Sequence, residues 1–339
     1  MGAVSYVGNR ELAVRDGERR APGDGEVEIA VAYTGICGTD LHILHGAMDA
    51  RVSLPAVLGH EMSGTVSRVG PGVDGIAVGD GVTVMPLDWC GSCPACAAGN
   101  EHVCHNLDFL GIDSPGSMQS HWVAPARVVV PLPEGIALEA AALAEPAAVA
   151  VHDVRRAGLR AGERALVVGG GPIGLLIALV ATAAGADVVV LEPSEGRREQ
   201  GRALGLRVED PAGAAELVEE WTEGAGAPVA FEVSGAVAGL ETAIQSLAVR
   251  GRLVVVAIHS APPPVNLFRV FWRELTLIGA RVYEREDFEE ALRLLASGAV
   301  PADSLVTSVR PLEQAAAAFE ALERGSELKV LIDCRDVFA

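Results

Sequence analysis

The sequence predicts an α/β chain in which a β-rich first domain is followed by a doubly wound parallel sheet. Two patterns predict it. Before about residue 147, short alternating runs such as Glu26–Ala32 and Gly64–Val69 lie between Gly and Pro turns, as in antiparallel β structure. From Ala165 onward, short apolar runs alternate with helical stretches, the pattern of a parallel sheet with right-handed crossovers.

The elements follow in order. Ala147–Arg156 carries an apolar helical face. Ala165–Val168 reads as a strand, and Pro172–Ala184 as an apolar helix with proline in its first turn, where a missing N–H costs little. Val188–Leu191 is a strand, Ser194–Leu204 a helix, Val229–Glu232 a strand and Ala236–Ala248 a helix. Leu253–Ala257 and Leu275–Ile278 read as strands, the second at the sheet edge. Asp287–Ala296 and Leu312–Glu323 read as helices, and Lys329–Asp333 as a closing strand.

The chain has 339 residues and a net charge of −19, with 50% hydrophobic residues, enough for two cores. Such an acidic chain is not expected to bind nucleic acid or an anionic membrane through bulk charge, and a neutral substrate fits it more easily. No run of 18 or more apolar residues predicts a membrane span. Met1–Arg10 lacks a basic stretch followed by an apolar core, so no signal peptide is expected and the cytoplasm is the default compartment. In that reducing setting the clustered cysteines point to metal before disulfides.

Gly169-Gly-Gly-Pro-Ile-Gly174 fits G-x-G-x-x-G between a predicted strand and a predicted helix, the context that gives the motif meaning. Gly169, Gly171, Pro172, Ile173 and Gly174 would let backbone N–H groups and a helix N-terminus meet a pyrophosphate. Glu192 closes the second strand, where an acid accepts the adenosine ribose hydroxyls. A 2′-phosphate beside that carboxylate would be repelled by about 4 kcal/mol per unit charge at an effective dielectric near 20, which favours NAD over NADP. Arg197-Arg198 is the competing feature: a phosphate holder or a solvated helix face.

Cys90-x2-Cys93-x2-Cys96-x7-Cys104 offers four thiolates that can close a tetrahedron around Zn²⁺ and leave no open position, which makes a structural site. An iron–sulfur cluster is the alternative, but the ferredoxin run continues with x3-C-P, not x7. Cys37-Gly-Thr-Asp-Leu-His42 and Gly59-His60-Glu61 together supply thiolate, imidazole and carboxylate, a set that suits zinc with an open position. Glu145 adds a carboxylate at the start of the first helix, or a charge at its N-terminus. Cys334 reads as a small buried apolar residue.

Gly59-His-Glu-x2-Gly64-x5-Gly70 resembles the zinc signature of the medium-chain dehydrogenase/reductase family, and the cysteine lobe and dinucleotide loop follow in that family's order along the whole chain. Glu145-Pro146, and Gly279–Tyr283 followed by Glu286–Glu290, make it most similar to the polyol branch of butanediol, sorbitol and threonine dehydrogenases. The resemblance implies a GroES-like catalytic domain over 1–147 with a zinc lobe at 88–106, a Rossmann domain over 148–284, and a return to the catalytic domain over 285–339. It implies two zinc ions per chain and NAD. Cys37 and His60 would bind the catalytic zinc, with Glu61 and Glu145 binding directly or through water. Asp40 would orient His60, and Thr39 and His42 would relay the proton. Ile173, Glu192, Arg197 and Lys329 would contact the dinucleotide, Lys329 at its pyrophosphate. Met118 stands where the family often has an aromatic pocket wall, and Val282 where sorbitol enzymes carry arginine.

The implied reaction is oxidation of a small secondary alcohol, diol or polyol, or its reverse, in a homodimer or homotetramer. A threonine or cyclic amino-alcohol enzyme is the alternative within the family. A non-catalytic nucleotide-binding protein is the alternative outside enzymes, and the intact Cys37, Thr39, His42 and His60 argue against it.

Overall fold

The structure, a computed structural model, describes residues 2–16 and 19–335. It divides into two compact units. One comprises Met1–Glu145, Glu284–Gly298 and Ala302–Ala339; the other comprises Pro146–Tyr283 and Ala299–Pro301.

The first unit is built on β-sheet. Its largest sheet has seven strands, in the order Val129–Pro131, Gly81–Val84, Glu61–Val69, Glu26–Gly35, Lys329–Asp333, Val306–Pro311, with His121–Pro125 also paired to Glu26–Gly35. All neighbours are antiparallel except the last two strands of that order. The run at Glu26 extends well beyond Ala32 because Tyr33 and Thr34 pair with Ser63 and Met62. Burial of Val27, Ile29, Val31, Met62, Val66, Val82 and Val84 builds the core. A three-stranded sheet, Leu12–Asp16, Gly2–Tyr6 and Ala56–Val57, stands beside it.

The second unit carries six parallel strands in the order Arg207–Glu209, Asp187–Leu191, Arg164–Val168, Ala227–Glu232, Leu247–Val255, Thr276–Gly279. Each half winds outward from the centre, so the order reverses between Arg164–Val168 and Ala227–Glu232, the point where such sheets bind nucleotides. Leu166, Val189, Leu191, Ala230 and Leu253 pack with Trp221, Leu240, Ala243 and Ile244 into one cluster. Helix Pro172–Ala183 is buried along its whole middle, which explains its unbroken apolar run. The predicted helix Ala236–Ala248 stops at Ser246, because the strand begins at Leu247, six residues before its expected start. Thr276–Gly279 is an edge strand, as its position in the sequence suggests. No helix among the described residues is long and apolar enough to cross a membrane.

Candidate active site

The metal centre is assembled from two neighbouring pieces of the first unit. Cys37 is the extended residue that caps helix Gly38–Leu44. Its N–H donates to Asp40 Oδ2 at 2.9 Å, which fixes the thiol at the helix N-terminus. His60 and Glu61 stand at the start of strand Glu61–Val69. Ligand atoms of Cys37, His60 and Glu61 lie within 4.8 Å of one another. Strand pairing of Gly35 with Glu61 brings the two pieces together. A Cβ on Gly35 would sit 2.1 Å from Glu61 Oε2, so only glycine leaves the carboxylate its place.

The donor set fits a divalent cation. His60 and Asp40 are buried, with Nδ1 and Oδ1 facing each other at 3.8 Å, too far for a hydrogen bond, and neither atom has a hydrogen-bond partner. Burial alone would lower the His60 pKa, but the charge of Asp40, then the Cys37 sulfur and Glu145, push it up to about 10. The charges gathered around His60 make a pocket that would favour a bound dication. The Asp40 carboxylate beside Nδ1 leaves Nε2 as the ligating nitrogen. Glu145, buried in the first turn of helix Ala144–Ala157, is outside the 4.8 Å group, although its charge acts on His60.

Glu61 has a partner that the sequence does not reveal. Lys329 Nζ donates to its two oxygens at 2.7 and 2.5 Å and to the Ile36 carbonyl at 3.2 Å, all buried. The sequence reading puts Lys329 at the dinucleotide pyrophosphate; the structure instead directs its ammonium at Glu61. Burial alone would lower the lysine pKa, and the Glu61 carboxylate raises it above the ordinary value. Phe109 is a second residue the sequence analysis misses. Its ring meets His60 edge-on, with centroids 5.4 Å apart. Met118, read as a pocket wall, is fully buried in the core, where a Cβ on Gly59 would touch its side chain.

Thr39 and His42 share one face of the short helix, three residues apart. Thr39 Oγ1 is 3.8 Å from the Cys37 sulfur and half-buried, whereas His42 is exposed. Thr39 thus stands beside the Cys37 sulfur, and His42 at the surface one turn further on.

The four-cysteine lobe is closed. Cys93–Cys96, Cys93–Cys104 and Cys90–Cys104 sulfurs stand 3.5, 3.7 and 3.5 Å apart. Tetrahedral zinc with bonds of about 2.3 Å spaces its sulfurs by about 3.8 Å, so one ion fits the cage. Backbone N–H groups of Cys90, His105 and Asn106 aim at the sulfurs at 3.3–3.4 Å and favour the thiolate form. Hydrogen bonding from Ser92 and Asn106 lowers the Cys90 thiol to about 5.

In the second unit, Gly169 has φ +115° and a Cβ on Gly174 would lie 1.9 Å from the Gly169 carbonyl oxygen. The tight βα turn thus depends on both glycines. Gly171 caps helix Pro172–Ala183 in open space, and Pro172 and Ile173 are half-buried beside it. Glu192 accepts from Gly170 N at 2.8 Å and Ser194 N at 2.9 Å, so the carboxylate also ties the loop to the second strand. Arg197 is exposed. Arg198 is committed elsewhere, to Glu195, Asp210 and the carbonyls of Glu192 and Pro193.

Comparison with known proteins agrees with this geometry. A family model described as alcohol dehydrogenase GroES-like domain matches residues 23–134, and one described as zinc-binding dehydrogenase matches residues 172–297. The chain is 49% identical to the 2-dehydro-3-deoxy-L-galactonate 5-dehydrogenase of Pseudoalteromonas atlantica, covering 98% of this chain and 99% of that protein. It is 33% identical to the sorbitol dehydrogenase of Halalkalibacterium halodurans, covering 96% of each. The solved 2R,3R-butanediol dehydrogenase from Bacillus subtilis superposes with a TM-score of 0.89 at 32% identity, covering 98% of this chain and 99% of that one.

Proposed function

The chain belongs to the zinc-containing alcohol dehydrogenase family of medium-chain dehydrogenases, and from that premise we propose that it oxidises a secondary hydroxyl of a small polyhydroxylated substrate, a sugar acid first among them, with NAD. The enzyme class, a zinc- and NAD(P)-dependent dehydrogenase, comes with the family. The observation that carries the sugar acid is the 49% identity along nearly the whole chain to an enzyme named for one. The net charge of −19 points to a neutral substrate, but that argument is weak at short range. Exposed charges more than about 8 Å away are largely screened at physiological salt, so groups in the pocket decide.

Cys37 and His60 would hold the catalytic zinc, with a carboxylate drawn from Glu61 and Glu145; Cys90, Cys93, Cys96 and Cys104 would hold the structural one. When bound, the catalytic zinc supplies a Lewis acid for the hydroxyl oxygen, and the nicotinamide supplies the hydride acceptor. Asp40 keeps His60 in the ligating tautomer. Phe109 shields one side of the imidazole from water. Thr39 Oγ1 would accept the proton that the hydroxyl loses while giving its own to a ribose hydroxyl of the bound cofactor, and His42 would pass that proton on to solvent. Glu192 favours NAD by its charge, and with Arg198 engaged, Arg197 is the arginine of that pair left to meet a 2′-phosphate.

Replacement of Thr39 by alanine is expected to lower kcat by about 10²-fold, the low end for losing a positioned proton carrier, and to change NAD affinity by less than about twofold. Steady-state kinetics with an NAD titration checks it; normal turnover would refute the relay. The substrate is tested by NADH absorbance with 2-dehydro-3-deoxy-L-galactonate, sorbitol, 2,3-butanediol and threonine, each with NAD and NADP. The sugar acid is expected to give the highest kcat/KM with NAD, and a preference for threonine would overturn the proposal.

The Rossmann unit also supports a homo-oligomer. Beside edge strand Thr276–Gly279, helix Leu267–Trp272 exposes Leu267, Phe268, Phe271 and Trp272, with Phe268 and Trp272 stacked at 5.7 Å. An apolar patch beside an open strand edge is the place for a second copy to pair. Replacing Phe268 and Trp272 together by glutamate is expected to give a monomer in sedimentation velocity; an unchanged assembly would rule this face out.

A further inference from the structure

The Phe109 ring that meets His60 is carried by a closed turn, residues 109–113. The Phe109 carbonyl accepts from Ile112 N and Asp113 N, both at 2.9 Å, and the Phe109 N–H donates to Asp113 Oδ2 at 2.9 Å. Asp113 thus holds both backbone groups of Phe109. The turn lies directly on the chain that leads into His60: a Cβ on Gly111 would stand 2.2 Å from the Gly59 carbonyl oxygen and 3.3 Å from His60 Cβ. Arg51 closes the arrangement from a distant segment. Its Nε and Nη2 donate to Asp113 Oδ1 and Oδ2, both at 2.6 Å, as a two-pronged pair.

Arg51 belongs to the stretch that follows helix Gly38–Leu44, where Arg51 N and Val52 N donate to the Met48 carbonyl at 2.8 and 3.0 Å. The pair therefore joins the segment after the helix of Cys37 and Thr39 to the turn behind His60, 62 positions further along the chain. The Arg51 and Asp113 side chains are 40% and 24% exposed, so the pair contributes little to stability through charge alone. Its geometry is more informative. With both oxygens held, the Asp113 carboxylate cannot turn away from the Phe109 N–H. Phe109 is buried, and its ring stays edge-on to the imidazole. Residues that orient a metal-binding histidine from outside the ligand set change metal affinity or activity by about 10–100-fold.

We infer that Arg51 is a positioning residue of the metal centre, which through Asp113 and the Phe109 ring fixes the His60 imidazole in its ligating orientation. The inference rests on the zinc reading given above. Asp40 faces Nδ1 of the imidazole, while Phe109, with its plane at 87° to that ring, limits rotation of the ring about its own bond to Cβ. Arg51 acts on the second of these restraints. Lysine in its place would keep the charge but lose the two-pronged grip on Asp113.

The test measures zinc affinity by chelator competition, and the visible spectrum after cobalt replaces zinc at the Cys37–His60 centre. It compares the wild type with Arg51→Ala, Arg51→Lys, Phe109→Leu and the double variant Arg51→Ala/Phe109→Leu. Arg51→Ala is expected to weaken the catalytic zinc by about tenfold, the low end for such a partner, and to shift the cobalt bands. The zinc of the cysteine lobe should be kept, and the urea midpoint of the zinc-free protein should move by less than about 0.5 M. Arg51→Lys should recover only part of the zinc affinity. Phe109→Leu should lose about as much as Arg51→Ala, and the double variant less than about twofold more than either, because the two residues act in one chain. A further tenfold loss in the double variant would show that Arg51 does not act through Phe109, and would overturn the inference. So would an unchanged zinc affinity and spectrum in Arg51→Ala, or an equal loss of both zinc ions with a large fall in the urea midpoint, which would reduce the pair to a folding contact. A wild type that holds zinc in the cysteine lobe alone would instead remove the zinc reading, and the positioning role with it.

Discussion

Replacing Lys329 by methionine is expected to destabilise the zinc-free protein by about 3–5 kcal/mol, because it leaves the Glu61 carboxylate buried without a cation. The ammonium donates to both oxygens of Glu61 and to the Ile36 carbonyl, and lysine and glutamate are both nearly inaccessible. The cost comes from the residue left behind more than from the attraction lost. Glu61 cannot turn to water, since strand pairing with Gly35 holds its backbone and the glycine leaves just enough room for its side chain. The double variant Lys329→Met/Glu61→Gln removes both charges and should return to within about 1–2 kcal/mol of the wild type, as buried pairs do when replaced together. Urea unfolding of the wild type, the two single variants and the double variant measures this cycle. A cost below about 1 kcal/mol for Lys329→Met would mean that the ion pair is not buried as described. The same cycle bears on the metal. With its lysine gone, Glu61 adds an unbalanced negative charge at the Cys37–His60 centre, so zinc should be held more tightly while turnover falls.

The partnership of Lys329 with Glu61 shows where the sequence stops being readable. The two residues are 268 positions apart, and no periodicity or spacing links them. They become partners when the last strand, Lys329–Asp333, pairs with Glu26–Gly35 and carries the lysine into the core. Local chemistry was legible. The four cysteines are close in sequence, and a lobe with so few other ways to fold brings them together. The dinucleotide loop was legible because the glycines answer steric demands within six residues. The middle strands of the parallel sheet were legible because they are buried on both faces and read as unbroken apolar runs. Arg207–Glu209 was not, since three residues with charged ends carry no pattern. Strands Gly2–Tyr6, Leu12–Asp16 and Val306–Pro311 and helix Ala214–Trp221 are likewise not predicted from the sequence. Asp40 and His60 were named as partners from resemblance alone; their placement at 3.8 Å depends on the fold of the whole first unit.

Replacement of Cys93 by serine should damage folding more than chemistry. Its sulfur is one corner of the cage, 3.5 Å from Cys96 and 3.7 Å from Cys104, and receives the His105 N–H at 3.4 Å. Serine is a poor zinc ligand at neutral pH, because its hydroxyl does not ionise as a thiol does. The lobe has little else to hold it: apart from the cysteines, its cluster consists of Trp89, Ala95 and Leu107, all partly exposed. Zinc in a cage of this kind contributes about 10–16 kcal/mol of apparent binding energy, far more than three half-buried side chains can replace. The variant is therefore expected to purify with one zinc per chain fewer, to melt at a lower temperature, and to be cut by proteinase K between residues 88 and 106. The catalytic centre shares no ligand with this lobe, so turnover per remaining folded molecule should fall much less than in Thr39→Ala. Metal analysis, a melting curve and a proteolysis time course on one preparation separate these effects. A variant that is zinc-poor yet as stable and protease-resistant as the wild type would show that the lobe is held by its own packing, and the structural role of the second zinc would be lost.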